Sequence, residues 1–237
     1  MEEKMSGIVL GGVNFSENDK ILNILTLEKG VISAKIKGVK KAGAKLKFAS
    51  EPFCFAEFIF SKNLDKRTVI GASLIDSFYP VREDIKKFFA GGAVLEFAKR
   101  FYRESWVEAQ DFFNVINALK SISYGDNPLS ALCAFLISAL DGAGIKLTLE
   151  GCFYCQTKIE GKVFFDYRAG AFLCEECFSG TGREINPITL DALCLAKEGR
   201  LTDGHAGAVK ALRLLEYYLE NRADEKLNAL KELLQIC

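Results

Sequence analysis

TVIGASLIDSFYPVREDIKKFFAGGAVL, residues Thr68–Leu95, changes its hydrophobic period in mid-course, and that change divides the chain. Up to Ile75 the stretch is short, β-branched and bounded by turn residues, the mark of a strand. Beyond Pro80, Ile85, Phe88, Phe89, Gly92 and Leu95 recur at helical spacing and continue towards Phe101 and Tyr102. Gly91-Gly92 inside a helix costs about 1 kcal/mol per glycine relative to alanine, so the pair points to close backbone packing.

Upstream of this boundary the sequence reads as strands. Gly7–Val13 and Val31–Val39 are β-rich, and the second alternates Ile32, Ala34 and Ile36 against Ser33, Lys35 and Lys37. Phe53–Phe60 has apolar residues in both registers, as a strand buried on both faces does. Asn18–Leu27 fits a short helix or a strand equally. Four or five short strands in under eighty residues predict a small Greek-key barrel, with the OB-fold as the candidate.

Downstream the pattern is helical. Ser105 and Glu108 form a capping-box pattern ahead of Phe112, Ile116 and Leu119. Asn127-Pro128 and Asn186-Pro187 each supply an N-cap followed by proline at the first helical position, with ends predicted near Gly142 and Gly199. Ala206–Glu220 and Glu225–Leu234 read as two more amphipathic helices. The fold class is therefore α+β and multi-domain: a barrel over 1–79, then a helical domain over 80–237 with an inserted module at about 150–180.

That module is defined by Cys152-x-x-Cys155 and Cys174-x-x-Cys177, eighteen residues apart. Two thiolates three positions apart on a tight turn can reach one metal at about 2.3 Å, and tetrahedral coordination needs a second such pair delivered from elsewhere. Lys162–Tyr167 as a strand, Arg168-Ala169-Gly170 as a turn and Ala171–Leu173 as a return strand would deliver it. All four positions are then filled by protein, so the site reads as structural zinc. A redox dithiol, unmetallated thiols and an iron–sulfur cluster are the competing readings. Of the eight cysteines, Cys54, Cys133 and Cys194 sit among apolar neighbours and read as small buried hydrophobes.

The formal charge is zero, but residues 1–50 hold nine lysines and five acids, leaving a mildly acidic remainder. Lys29 to Lys47 contains seven lysines and no acid, and Gly38–Lys45 predicts a flexible loop between strands. Lys35, Lys37, Lys40, Lys41, Lys45 and Lys47 are the candidate phosphate contacts, against the reading that they only solvate a surface. Phe48, Phe53 and Phe55 are candidates for base stacking or, preferably, barrel core. No Walker loop and no acid–base pair is present, and the lone His205 reads as a capping or surface residue, so no enzyme is expected. The acidic start Met1-Glu2-Glu3 is no secretory signal and no stretch nears the ~18 apolar residues of a membrane span, which predicts a cytoplasmic protein.

Ser16-Glu17-Asn18-Asp19-Lys20-Ile21-Leu22, Leu25-Thr26 and Ala34-Lys35-Ile36-Lys37-Gly38-Val39-Lys40-Lys41 resemble the opening of the RecO family of bacterial DNA repair proteins. Leu74-Ile75-Asp76-Ser77-Phe78 with Arg82-Glu83-Asp84 resembles that family's barrel–helix junction. The cysteine pairs, with Ala169-Gly170-Ala171-Phe172-Leu173, resemble its zinc-bearing members. The resemblance implies an OB-fold, a zinc-carrying helical domain and a recombination mediator. Such a protein binds single- and double-stranded DNA, anneals complementary strands and assists RecA on strands coated with single-stranded-DNA-binding protein. RecR and that coating protein's acidic tail are the implied partners, at the bacterial nucleoid. Two departures stand out: the basic stretch is all lysine, and Gln156 follows Cys155 where many members have glycine. Outside the resemblance, a zinc-ribbon adaptor of transcription or translation and a thiol oxidoreductase remain the alternatives.

Overall fold

A computed structural model of the chain describes residues 2–64, 66–102 and 108–237. Five strands, β1 (Glu2–Asn14), β2 (Lys20–Thr26), β3 (Gly30–Ile36), β4 (Phe55–Asn63) and β5 (Lys66–Asp76), close a barrel of order β1-β2-β3-β5-β4. β1 is long enough to serve two neighbours, pairing with β4 over its first half and β2 over its second, with a register shift between Val9 and Gly11. β3 and β5 pair in parallel and complete the closure. This is the OB-fold arrangement.

The alternation read from β3 holds: Ile32, Ala34 and Ile36 are buried with Leu22, Ile24, Phe58 and Phe60 inside the barrel. Asn18–Leu27 resolves as a strand. Leu22 and Ile24 point inward while Leu25 is buried in the other core, against the helices, so a strand covered on both faces imitated helical spacing.

Six helices follow: α1 (Ile85–Phe101), α2 (Ala109–Tyr124), α3 (Pro128–Gly142), α4 (Pro187–Lys197), α5 (Ala208–Ala223) and α6 (Asn228–Gln235). Asp84 caps α1, its carboxylate accepting from Lys87 N at 2.9 Å. At α2 the sequence expectation needs correction. Glu108 is the N-cap itself rather than the third residue of a box, and Asp111 accepts from its backbone N–H at 3.3 Å; Ser105 lies outside the described residues. Asn186 caps α4, accepting from Ile188 N at 3.1 Å, whereas Asn127 holds the N-cap position of α3 without capping it: the Asp203 carboxylate accepts from Leu129 N and Ser130 N, and each asparagine is followed by proline as the sequence predicts.

The larger core runs without a break from barrel to helices. Ile8, Leu10, Leu25 and Phe53 share it with Ala90, Val94, Phe97, Phe112 and Leu119. The glycine pair of α1 makes this possible: a Cβ on Gly91 would stand 3.0 Å from Phe53 Cε1, and one on Gly92 would stand 3.1 Å from Ala229 Cβ on α6. Phe53 and Phe55 are therefore neither barrel interior, as preferred from sequence, nor stacking platforms. Phe53 is 4% exposed in the helical core, and Phe55 meets the Phe112 ring at 6.0 Å. Among the described residues, no helix is long and apolar enough to cross a membrane.

Candidate metal centre and basic loop

Between α3 and α4 a small sheet of order β7-β6-β8 carries the cysteines: β6 (Val163–Asp166), β7 (Ala171–Cys174) and β8 (Arg183–Ile185). β6 and β7 form the hairpin expected from sequence, while β8, only three residues long, gave no periodic signal. Gly170 turns the hairpin at φ +62, and a Cβ there would collide with the Tyr218 hydroxyl and the Lys146 carbonyl. The same hydroxyl donates to Ile145 O at 3.2 Å, so the bare turn lets the sheet seat on α5. On the other face, Phe164 stacks on Phe178 at 3.9 Å and, with Cys152 and Leu173, forms a separate apolar patch beside the thiols.

The hairpin delivers Cys174 and Cys177 opposite the turn holding Cys152 and Cys155. All four Sγ atoms lie within 4.8 Å of one another. Cys155 and Cys174 are 3.8 Å apart, which is about the sulfur–sulfur edge of a tetrahedron with 2.3 Å metal bonds. The turn itself is tight: Gln156 N donates to Cys152 O at 2.8 Å and Cys152 N to Thr157 O at 2.9 Å. Gln156 adopts φ 60, a left-handed conformation that costs a side-chain-bearing residue about 1 kcal/mol and accounts for glycine's suitability there.

Electrostatics at the four thiols are uneven. Burial pushes the Cys152 thiol up, but the backbone N–H groups of Cys155, Cys174 and Tyr154 outweigh it and hold the thiol down to about 6. The Thr157 hydroxyl lowers Cys155. Cys177 moves the other way, to about 12, because its hydrogen bond to Cys174, desolvation and the neighbouring sulfurs all oppose another negative charge. The cluster thus loses its first protons readily and resists the last, a tension that a dication removes. Four thiols this close can hold one metal ion.

The lysine stretch from Gly38 to Lys45 is a loop between β3 and β4, as expected, and it is tied down at its start. Asp19 Oδ1 accepts from Gly38 N at 2.9 Å, and Lys40 N donates to Asn18 O at 3.2 Å, so the β1–β2 turn organises the segment after β3. Successive turns then carry it to a short 3-10 helix, Phe48–Ser50. Lys37, Lys40, Lys41, Lys45 and Lys47 are exposed and in no ion pair among the described residues. Lys35 differs from them: it is half-buried, pairs with Asp19 at 2.8 Å and lies over the Phe15 ring at 4.5 Å. Its ammonium, with the Gly38 N–H, holds the Asp19 carboxyl down to about 2. Sequence reading missed Asp19 as the organiser; its signal was an acid at the turn immediately before β2. Phe48, 37% exposed, is the one of the three candidate phenylalanines that stands at the surface. His205 accepts from Gly207 N at 3.1 Å and pairs with Asp191 at 3.2 Å, ahead of α5.

A closed OB barrel packed on a helical unit that bears a four-cysteine cluster defines the class of this protein. Within that class the chain belongs to the recombination protein O family. The family described as Recombination protein O N terminal matches residues 1–78, and that described as Recombination protein O C terminal matches residues 82–231. The chain is 30% identical over 188 residues to the DNA repair protein RecO of Caldicellulosiruptor bescii, covering 79% of this chain and 75% of that one. With the DNA repair protein RecO of Anaeromyxobacter sp. (strain K) it shares 30% over 208 residues, 86% and 81% of the two chains. The protein of the same name from Moorella thermoacetica is 27% identical over 231 residues, 91% and 86% of the two.

Proposed function

We propose that this protein is a recombination mediator in DNA repair, binding single- and double-stranded DNA, annealing complementary strands and assisting RecA loading on strands coated with single-stranded-DNA-binding protein. The observation that carries this is the acid-free run of five exposed lysines, in no ion pair among the described residues, on an OB barrel in a chain of this family. Point charges on phosphates give sequence-independent affinity and lower the repulsion between two backbones. The protein works as a DNA-binding unit over 1–79 and a helical unit over 80–237. In the helical unit Cys152, Cys155, Cys174 and Cys177 hold one zinc ion, whose role is folding energy for the module. With four thiolates as ligands, no coordination position is left for substrate. The protein acts without bond chemistry, in the bacterial cytoplasm at the nucleoid, alongside RecR and the acidic tail of the coating protein.

The test is annealing of complementary strands, bare and coated, without ATP, alongside metal analysis of the purified protein. Acceleration of both reactions, with loss of the coated reaction when the coating protein's tail is deleted, is the expected result. Absence of annealing on either substrate rejects the mediator reading and leaves a zinc-ribbon adaptor as the better account. Turnover of a disulfide substrate by the cysteines would point to the oxidoreductase.

A further inference from the structure

A second basic surface lies far along the sequence from the barrel lysines. A groove of about 690 Å³ runs between β8 and α5. Its floor is apolar, built from Phe165, Leu214 and Val209. Its rim carries Arg183 from the sheet edge and Lys210 and Arg213 from one face of α5, all exposed and in no ion pair among the described residues. Glu184 is the one acid lining it. At one end stands Tyr217, 37% exposed, edge-to-face with Tyr167 at 5.8 Å, and the Arg168 guanidinium lies 6.0 Å over the Tyr167 ring.

We infer that this groove is a second single-stranded nucleic-acid site, able to hold one strand while the barrel holds another. It rests on the DNA-binding reading proposed above. Three cations lining a trough with an exposed Tyr217 ring fit a sequence-tolerant single-strand site, since every base has a face to stack and every linkage a charge. An acidic peptide would satisfy the three cations and the apolar floor but would leave the exposed Tyr217 ring without a stacking partner. A chain that binds one strand neutralises one backbone; annealing is accelerated more when both strands are carried on one molecule, because the second encounter becomes local.

The test is a stoichiometric titration with an oligothymidylate of about twelve nucleotides, within the range of one such site. The unaltered chain binds two strands. Arg183→Ala/Lys210→Ala/Arg213→Ala binds one and anneals bare complementary strands at least about tenfold more slowly. Lys37→Ala/Lys40→Ala/Lys41→Ala/Lys45→Ala/Lys47→Ala also binds one, and combining the two sets leaves none. In the barrel-altered chain, Tyr217→Ala weakens the remaining site by about 5- to 150-fold while Tyr217→Phe keeps it, as stacking demands. Melting curves confirm that these surface changes leave the fold intact. One strand per unaltered chain, with affinity and annealing indifferent to the groove changes, overturns the inference and leaves the barrel reading standing. Two strands retained by the groove-altered chain, with lost affinity for a glutamate-rich peptide, makes the groove a peptide site and also overturns it. No binding by the unaltered chain removes the DNA-binding reading as well.

Discussion

Salt dependence would separate the lysines proposed to meet phosphate from the one that builds the loop. Lys37, Lys40, Lys41, Lys45 and Lys47 are exposed and in no ion pair among the described residues, while Lys35 is committed to Asp19 at 2.8 Å. Each phosphate contact on a single strand contributes about −0.7 to the log–log slope of affinity against salt, so five contacts give about −3.5. Between 50 and 200 mM salt the affinity then falls about 100-fold. Changing Lys40 and Lys41 to alanine removes two contacts, flattens the slope to about −2.1 and reduces the fall to about 20-fold. Lys35→Ala removes a neutralised charge and is expected to leave the slope within about 0.3 of the parent's, although loosening the loop lowers affinity at every salt concentration. The assay is fluorescence anisotropy of a labelled oligothymidylate over a salt series, with the Arg183, Lys210 and Arg213 changes as background so that the barrel reports alone. A slope unmoved by Lys40→Ala/Lys41→Ala, or flattened as much by Lys35→Ala as by that pair, refutes the assignment.

Three further expectations concern the framework. Cys174→Ser leaves three strong ligands and lowers thermal stability by several kcal/mol, with loss of stoichiometric zinc and a smaller loss of DNA affinity; calorimetry with metal analysis checks it, and an unchanged melting temperature contradicts a structural metal. Gly91→Val drives a side chain towards Phe53 and Val81, whose atoms already lie 3.0 and 3.1 Å from an ideal Cβ, and costs about 1–3 kcal/mol in urea unfolding. The third is a pH effect at Asp19, whose carboxyl is lowered from 3.8 to about 2 in the fold. A depressed carboxyl stabilises above its unfolded value and loses that contribution as pH falls through its folded value. Protection of the Gly38 amide therefore holds from neutrality to about pH 4 and is lost as pH falls towards 2, and Asp19→Asn removes the dependence. Hydrogen exchange at Gly38 measures this, and an equal pH profile in both chains refutes it.

Legibility followed the physics of burial. A strand with one wet face, such as Ser33 and Lys35 against Ile32 and Ala34, declares its period; β2, covered by the barrel on one side and by α1 on the other, hides it. The cysteine spacing was readable because metal geometry constrains sequence distance directly. β8 was not, since three residues carry no period, and with it went Arg183 and the groove it edges. Phe53 and Phe55 were legible as buried but not as to which core buried them. For Phe53 that is decided by Gly91, thirty-eight positions on, and for Phe55 by Phe112, and no local pattern encodes such encounters. The glycine pair was the available clue, correctly read as close approach with its partner unnamed.

The unbroken core across the barrel and α1 bears on how such a protein can be cut, copied or rearranged. A gene segment ending at Asp76 would encode a sheet whose Ile8, Leu10, Leu25 and Phe53 had lost the surface they bury against. Those side chains would face solvent as an adhesive strip on an otherwise closed cylinder, and aggregation through it, not loss of the strands, would be the first failure. Attaching α1 alone would cover that strip but bare the side of α1 that packs on α3 and α6, through Phe97 against Phe135 and Gly92 against Ala229, so barrel and helices move intact only together. Fusion events that split the gene after β5 are therefore expected to be lost, and so are those that break it between α1 and α2.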